Sequence, residues 1–246
     1  MFRVELSESF QELKRGETLS EQDHQDSTRE TEQLAALADL SDWEFDRLLF
    51  DEKIRSLSEV HWTPIKVARR AAELLSSGGN CRILDVGSGA GKFCFVGALS
   101  TQCVFVGIER RKPLVDCSQS LVKRWGLPRT SFVHGDAADL NWRDFDGIYL
   151  YNPFFENVVD TIRLEPLFKL SQETFQSYIR MTQDKLHDMR PGTRVATFFG
   201  FGGKLPSSYR LEREERFRGG PLQLWVKQAI PTSVQLPLNF RSEPRI

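Results

Sequence analysis

Ile83-Leu-Asp-Val-Gly-Ser-Gly-Ala-Gly-Lys92 decides the fold of this chain: an apolar run broken only by Asp85 leads into glycines at 87, 89 and 91. The run reads as a buried strand. Glycine has no Cβ and tolerates positive φ, so glycine at every second position lets the backbone turn sharply and come close to a ligand. Lys92 to Leu99 reads as the following helix, whose free N–H groups face the same point. An ordinary β-to-α turn has the same local grammar, so the reading needs support from the rest of the chain.

The second strand, Val104 to Ile108, ends in Glu109, 22 positions after Gly87. In a doubly wound sheet a carboxylate at that tip lies beside the first glycine turn, where it accepts ribose hydroxyls. The dinucleotide fingerprint requires glycine at its first, third and sixth places, but here the sixth place is Lys92 and the third glycine is Gly91. A third strand, Thr130 to Val133, precedes His134-Gly-Asp-Ala137. A fourth, Gly147 to Tyr151, leads into Asn152-Pro-Phe-Phe155. Taken alone, Gly-Asp is a common turn, and Asn152-Pro-Phe-Phe155 reads equally as a proline turn followed by two core phenylalanines.

In this order, over roughly residues 60 to 230, the motifs resemble those of the class I S-adenosylmethionine-dependent methyltransferases, which open with an acid followed by a G-x-G-x-G turn. The resemblance implies S-adenosyl-L-methionine as cofactor, held by Asp85, Gly87, Ser88, Gly89 and Gly91. Glu109 is then expected on the ribose, Asp136 on the adenine amine with Ala137 supplying backbone, and Thr63 near the methionine end. Asn152-Pro-Phe-Phe155 falls where enzymes that methylate planar amino or amide nitrogens carry Asn/Asp-Pro-Pro-aromatic. Asn152 and the Pro153 carbonyl would accept hydrogen bonds from the acceptor, and Phe155 would stack on it, with Tyr151 or Phe154 as alternative rings. The chain departs from that motif at Phe154, where proline is the rule. Two other readings stay open. One is a non-catalytic domain of the same fold. The other is an NAD(P)-dependent oxidoreductase, which would need glycine at position 92 and leaves Asn152-Pro153 without a purpose.

Composition fits a soluble enzyme. The 246 residues, 40% hydrophobic and 27% charged, suffice for one α/β domain with appendages. A net charge of −1 speaks against a whole-protein grip on nucleic acid. Arg110-Arg-Lys112, and Arg210, Arg213, Arg216 and Arg218 interleaved with Glu212, Glu214 and Glu215, read as solvated faces. The acceptor stays open between a protein side chain, a small molecule and a base. Cys81, Cys94, Cys103 and Cys117 show no metal-ligand spacing, so no metal is expected, and they read as buried thiols of a reducing compartment. His61 and His134 read as structural. No apolar stretch matches a signal peptide or membrane span, which makes the cytoplasm the expected location.

Residues 1–30 read as a polar arm, 31–60 as a helical extension, 61–230 as the methyltransferase domain and 231–246 as a proline-punctuated tail. Ser41-Asp-Trp-Glu44 has the form of a capping box ahead of Phe45, Leu48 and Leu49. Thr63-Pro64 suits the start of a helix that Gly78-Gly79 ends, and Pro113 and Gly126 bracket another. Ser171 to Met189 places Phe175, Tyr178, Ile179, Thr182 and Leu186 on one helical face. A fifth strand, Arg194 to Phe199, precedes two more, Tyr209 to Phe217 and Pro221 to Ala229, joined at Arg218-Gly-Gly220. The expected fold is α/β: a doubly wound, mostly parallel seven-stranded sheet with a C-terminal antiparallel hairpin.

Overall fold

The computed structural model describes residues 40–55, 62–76, 79–127, 129–154 and 172–229. Its strands are β1 (Arg82–Val86), β2 (Val104–Glu109), β3 (Thr130–His134), β4 (Gly147–Leu150), β5 (Arg194–Phe198), β6 (Tyr209–Phe217) and β7 (Gly220–Lys227). The helices are α1 (Asp42–Leu49), α2 (Glu52–Arg55), α3 (Ile65–Leu75), α4 (Lys92–Ser100), α5 (Lys112–Trp125) and α6 (Gln172–His187), with a 3₁₀ turn at Trp142–Asp144. All seven strands share one sheet in the order β3-β2-β1-β4-β5-β7-β6. Neighbours among the first five run parallel, and β7 runs antiparallel to β5 and β6. This is the expected fold class. The chain travels outward from β1 to β3, then crosses to β4 on the other side of β1, so a crevice opens at the carboxyl ends of β1 and β4.

Both faces of the sheet are covered, which explains why its strands read as unbroken apolar runs. Ile83, Phe105, Tyr149 and Ala196 share one buried cluster with Ala68 and Leu75 of α3, Phe93 of α4 and Val115 of α5. Their neighbours Leu84, Val106, Ile148 and Val195 join Ile179 and Leu186 of α6 on the other face. β6, the last strand on its side of the sheet, is charged and carries a register shift between Leu211 and Arg213, features that discourage further strand pairing.

The capping box at Ser41 and Glu44 forms, with Phe45 and Leu49 buried and Leu48 exposed. The start of α3 differs from expectation. Pro64 is its N-cap, and Asp42 of α1 supplies the side-chain acceptor, taking a hydrogen bond from the Ile65 N–H at 2.8 Å. The Thr63 hydroxyl is instead paired with the Tyr149 hydroxyl at 2.9 Å. Gly78 lies outside the described residues.

The reading of four free thiols is also corrected. Cys81 and Cys103 form a disulfide with 4.7 Å between Cα atoms, while Cys94 and Cys117 are free. The register explains the pairing. Arg82 faces Val104 in the β1–β2 ladder, so the cysteines that immediately precede them are side by side.

Candidate functional site

Two open cavities meet over the crevice, and Val86 and Gly87 line both. The first opens above the ends of β2 and β3, among Glu109, Asp136, Ala137, Pro153, Phe154 and Tyr178, and spans about 390 Å³ with the solvent at its mouth. The second, about 530 Å³, reaches toward α3 and α4 among Trp62, Thr63, Asp85, Ser88, Gly89, Arg111, Tyr149 and Tyr151. Thus most residues anticipated from sequence converge on one continuous cleft. Gly91 and Asn152 line neither cavity, and Phe155 and His61 lie outside the described residues.

The glycines adopt the left-handed backbone that their spacing suggests, with φ of +73° at Gly87, +55° at Gly89 and +91° at Gly91. Their roles differ. A Cβ on Gly87 would stand 3.1 Å from Pro153 Cβ, whereas one on Gly89 would meet only Trp62 Nε1 at 3.6 Å. One on Gly91 would intrude on the Phe132 and Phe95 rings, so this glycine packs the turn against the core. The turn is tied to β2: the N–H groups of Gly87 and Ser88 both donate to the Ile108 carbonyl at 3.0 Å, and that of Gly89 donates to Glu109 Oε2 at 3.0 Å. The turn therefore offers a ligand room more than free donors. Ser88 Oγ is buried without a hydrogen-bond partner among the described residues.

Glu109 is buried, and Oε1 accepts from the N–H and Nε of Arg111, both at 2.9 Å. Burial opposes its ionisation, but the Arg111 charge and the donors of Arg111 and Gly89 outweigh that and hold its carboxyl below the ordinary carboxylate range. Asp85, at the tip of β1, has no such cation among the described residues. Burial pushes its pKa up to about 7, the nearby Glu109 charge adds to the rise, and a hydrogen bond from the Cys94 thiol opposes it. In the same cavity Tyr149 stacks on Phe93 at 3.9 Å, and burial raises its phenol well above the ordinary value despite the Thr63 hydrogen bond. It stays a neutral donor or acceptor.

Asp136 accepts from the Ala138 N–H at 2.9 Å through Oδ1 and from the Tyr178 hydroxyl through Oδ2. Arg110 Nη1 donates to that hydroxyl at 2.8 Å. Phe154 stacks on the Tyr178 ring, 4.8 Å between centroids and 13° from parallel. The residue that departs from the resembling motif thus walls the first cavity together with a tyrosine of α6. From sequence Tyr178 was only one position on an apolar helix face. Its signal was a hydroxyl in that stripe, but the partner lies 42 residues away. Arg110, Arg111 and Tyr149 were likewise missed as cleft residues.

The turn after β4 is fixed from its backbone. Asn152 has φ of +40°, and its N–H donates to the Gly200 carbonyl after β5 at 2.7 Å. Pro153 then lies on Gly87, its carbonyl oxygen 3.4 Å from where a Cβ there would be. His134 is exposed, with Nε2 3.1 Å from the Arg110 carbonyl oxygen. No group of histidine, cysteine and acidic side chains among the described residues is placed to hold a metal, and no described helix is long and apolar enough to cross a membrane.

Residues 77–185 match the family described as a methyltransferase domain. By sequence, the chain matches no curated protein. Among solved structures it is similar to an RNA methyltransferase from Salinibacter ruber in complex with S-adenosyl-L-homocysteine, at 21% identity and a TM-score of 0.51, over 71% of this chain and 99% of that one. It is also similar to TrmN from Thermus thermophilus, at 16% identity and a TM-score of 0.50, over 71% of this chain and 52% of that one. Similarities of this size establish a common fold.

Proposed function

We propose that this chain, whose residues 77–185 match a methyltransferase domain, uses S-adenosylmethionine to methylate a planar amino or amide nitrogen held at Asn152 and Pro153. The observation that carries the proposal is the contact of Pro153 with Gly87, which sets the Asn152-Pro153 turn over the point where the two cavities meet.

The residues of the cleft fit the cofactor by their chemistry. Asp136 offers carboxylate oxygen to the adenine amine in the first cavity, and Glu109 offers its own to the ribose hydroxyls once some of its Arg111 donors are displaced. Asp85, Thr63 and Tyr149 offer a carboxyl and two hydroxyls to the polar methionine end in the second. Gly87 lies between them without a side chain. Bound there, S-adenosylmethionine supplies a methyl group activated by a sulfonium charge. What the chain adds is alignment and exclusion of water. The hydrogen bond from Asn152 N–H to Gly200 fixes the turn, which leaves the Asn152 side chain and the Pro153 carbonyl to accept from the N–H groups of an acceptor. Phe154 already stacks on Tyr178, so Phe155 or Tyr151 is the ring left to flatten against that acceptor. The like-folded Salinibacter enzyme was solved with S-adenosyl-L-homocysteine, the ligand that this reading expects as product.

Titration calorimetry against S-adenosylmethionine, its demethylated product and NAD tests the cofactor. Saturable NAD binding without response to the adenosyl ligands would overturn the reading. Single-turnover transfer of labelled methyl tests the acceptor turn. Asn152→Ala should keep cofactor affinity within a few-fold and lower turnover by orders of magnitude, as loss of a positioning contact does. Equal rates for parent and variant would remove Asn152 from the mechanism.

A further inference from the structure

We propose that Phe199 and Tyr151, with Arg216 and Arg218 of the adjoining β6–β7 hairpin, form the surface that receives a base of single-stranded nucleic acid. The proposal rests on the methyltransferase reading and names its acceptor class. Phe199 follows β5, where the parallel strands turn away from the sheet, and is 51% exposed. It also has φ of +60°, a region that bulky side chains rarely occupy. Among the described residues only three non-glycines have positive φ, and two of them, Asn152 and Phe199, follow adjacent parallel strands. The Asn152 N–H bond to Gly200 joins these two turns. Strain concentrated beside a cleft, on a side chain that gains little burial from it, points to function.

The ring adjoins the second cavity through Tyr151. Tyr151 lines that cavity, and the Phe199 ring lies 5.9 Å from the Tyr151 ring and edge-on to Phe198 at 4.7 Å. The β6–β7 turn supports it from the other side. A Cβ on Gly220 would stand 3.3 Å from the Phe199 ring and one on Gly219 3.6 Å, so the glycines let this turn lie against the aromatic.

The charges of that hairpin are unevenly matched. Arg210 pairs with Glu212, Arg213 and Arg70 pair with Glu215, and Glu214 accepts from Gln223. Arg216 and Arg218 are exposed and have no ion-pair partner among the described residues. Glu212 and Glu215 are thus taken up by arginines, and Arg216 and Arg218 outnumber the remaining carboxylate, Glu214, so the end of the hairpin that lies against Phe199 is left net positive. An exposed flat ring against a hairpin end that carries two exposed arginines fits a stacked base followed by its phosphates. Several bases also carry a planar exocyclic amine of the kind proposed for Asn152-Pro153. An acidic peptide would answer the arginines but gives no reason for the open ring.

The test is fluorescence anisotropy of the full chain, with S-adenosylhomocysteine present, against labelled single-stranded RNA and DNA oligonucleotides of mixed sequence and an acidic peptide. Oligonucleotide binding should weaken with salt at a log–log slope of about −1.4, the value for two phosphate contacts on a single strand. Replacing both Arg216 and Arg218 by alanine should bring that slope near zero. Phe199→Ala should weaken binding roughly 5- to 150-fold, the range for one lost base–aromatic stack, and Phe199→Tyr should restore it. Phe199→Gly, which suits the positive φ, should fail as Phe199→Ala does and so separates lost stacking from misfolding. Absent oligonucleotide binding, binding unchanged in Phe199→Ala, or preference for the peptide would each overturn the proposal. Absence of S-adenosylhomocysteine binding by the parent, measured separately by calorimetry, would overturn the methyltransferase reading instead.

Discussion

Arg111 clasps Glu109 through both carboxylate oxygens: its N–H and Nε reach Oε1 at 2.9 Å and its Nη2 reaches Oε2 at 3.2 Å, where the Gly89 N–H also donates at 3.0 Å. A carboxylate has about four lone-pair sites, and four donors occupy them. Ribose hydroxyls can bind Glu109 only by displacing some of these donors, and the guanidinium is the movable one.

Removing the clasp should therefore help the ligand. Arg111→Ala is expected to tighten S-adenosylhomocysteine binding several-fold in calorimetry at pH 8, whereas Glu109→Ala weakens it by about 1–3 kcal/mol. Weaker binding in Arg111→Ala would show that the guanidinium itself contacts the ligand.

Asp85 makes stability depend on pH in a direction unusual for a carboxylate. It titrates near 7 when folded, against an ordinary value of 3.8, because burial penalises its charge. Between those values the native state keeps a proton that the unfolded chain releases, so stability falls as pH rises through that window and levels off above it. Asp85→Asn removes this term. The melting temperature of the variant minus that of the parent should climb from about pH 4 to pH 7 and then stay flat; a flat difference throughout would mean that Asp85 titrates normally.

Gly89 and Gly91 should separate binding from folding. Alanine at Gly89 meets only Trp62 Nε1 at 3.6 Å, so its cost comes from the φ of +55°, about 1–2 kcal/mol. Alanine at Gly91 adds a Cβ 2.7 Å from Cε1 of the buried Phe132 ring at φ of +91°. Thermal melts should show the larger loss for Gly91→Ala, while Gly89→Ala, still folded, loses affinity for the cofactor product. Equal melting temperatures would count against this division.

Lys92 fastens α1 to the glycine turn. Its buried ammonium pairs with Asp42 at 2.7 Å and Asp46 at 2.8 Å, and Asp42 also caps α3. Lys92→Met takes the cation from a largely buried Asp46 and should destabilise the fold by up to about 3–5 kcal/mol in denaturant titration. Adding Asp46→Leu should recover most of that loss. No recovery would indicate that Lys92 acts chiefly through Asp42.

The fold was legible because its determinants are local. Ile83-Leu-Asp-Val, the alternate glycines, Pro113 and Gly126 specify strand, turn and helix ends within a few residues through φ preference and capping. Apolar runs at β1, β2 and β4 imply a sheet covered on both faces, and with five parallel strands that leaves few arrangements. The same spacing put Asp85, Gly87, Ser88, Gly89 and Glu109 at the carboxyl ends of strands, and the family resemblance added Asp136 and Ala137. All of them line the cleft.

What stayed hidden depends on which distant residues the sheet brings together. Cys81 meets Cys103 through the β1–β2 register, and Asp42 takes the capping role that Thr63-Pro64 suggested locally. Tyr178 reaches Asp136 and Phe154 because α6 covers the ends of the strands. Arg210 and Arg213 form ion pairs, whereas Arg216 and Arg218 have none among the described residues. Periodicity and glycine spacing fix how each segment folds, whereas the partner of a side chain is set by strand order and register, which no stretch of a few residues contains.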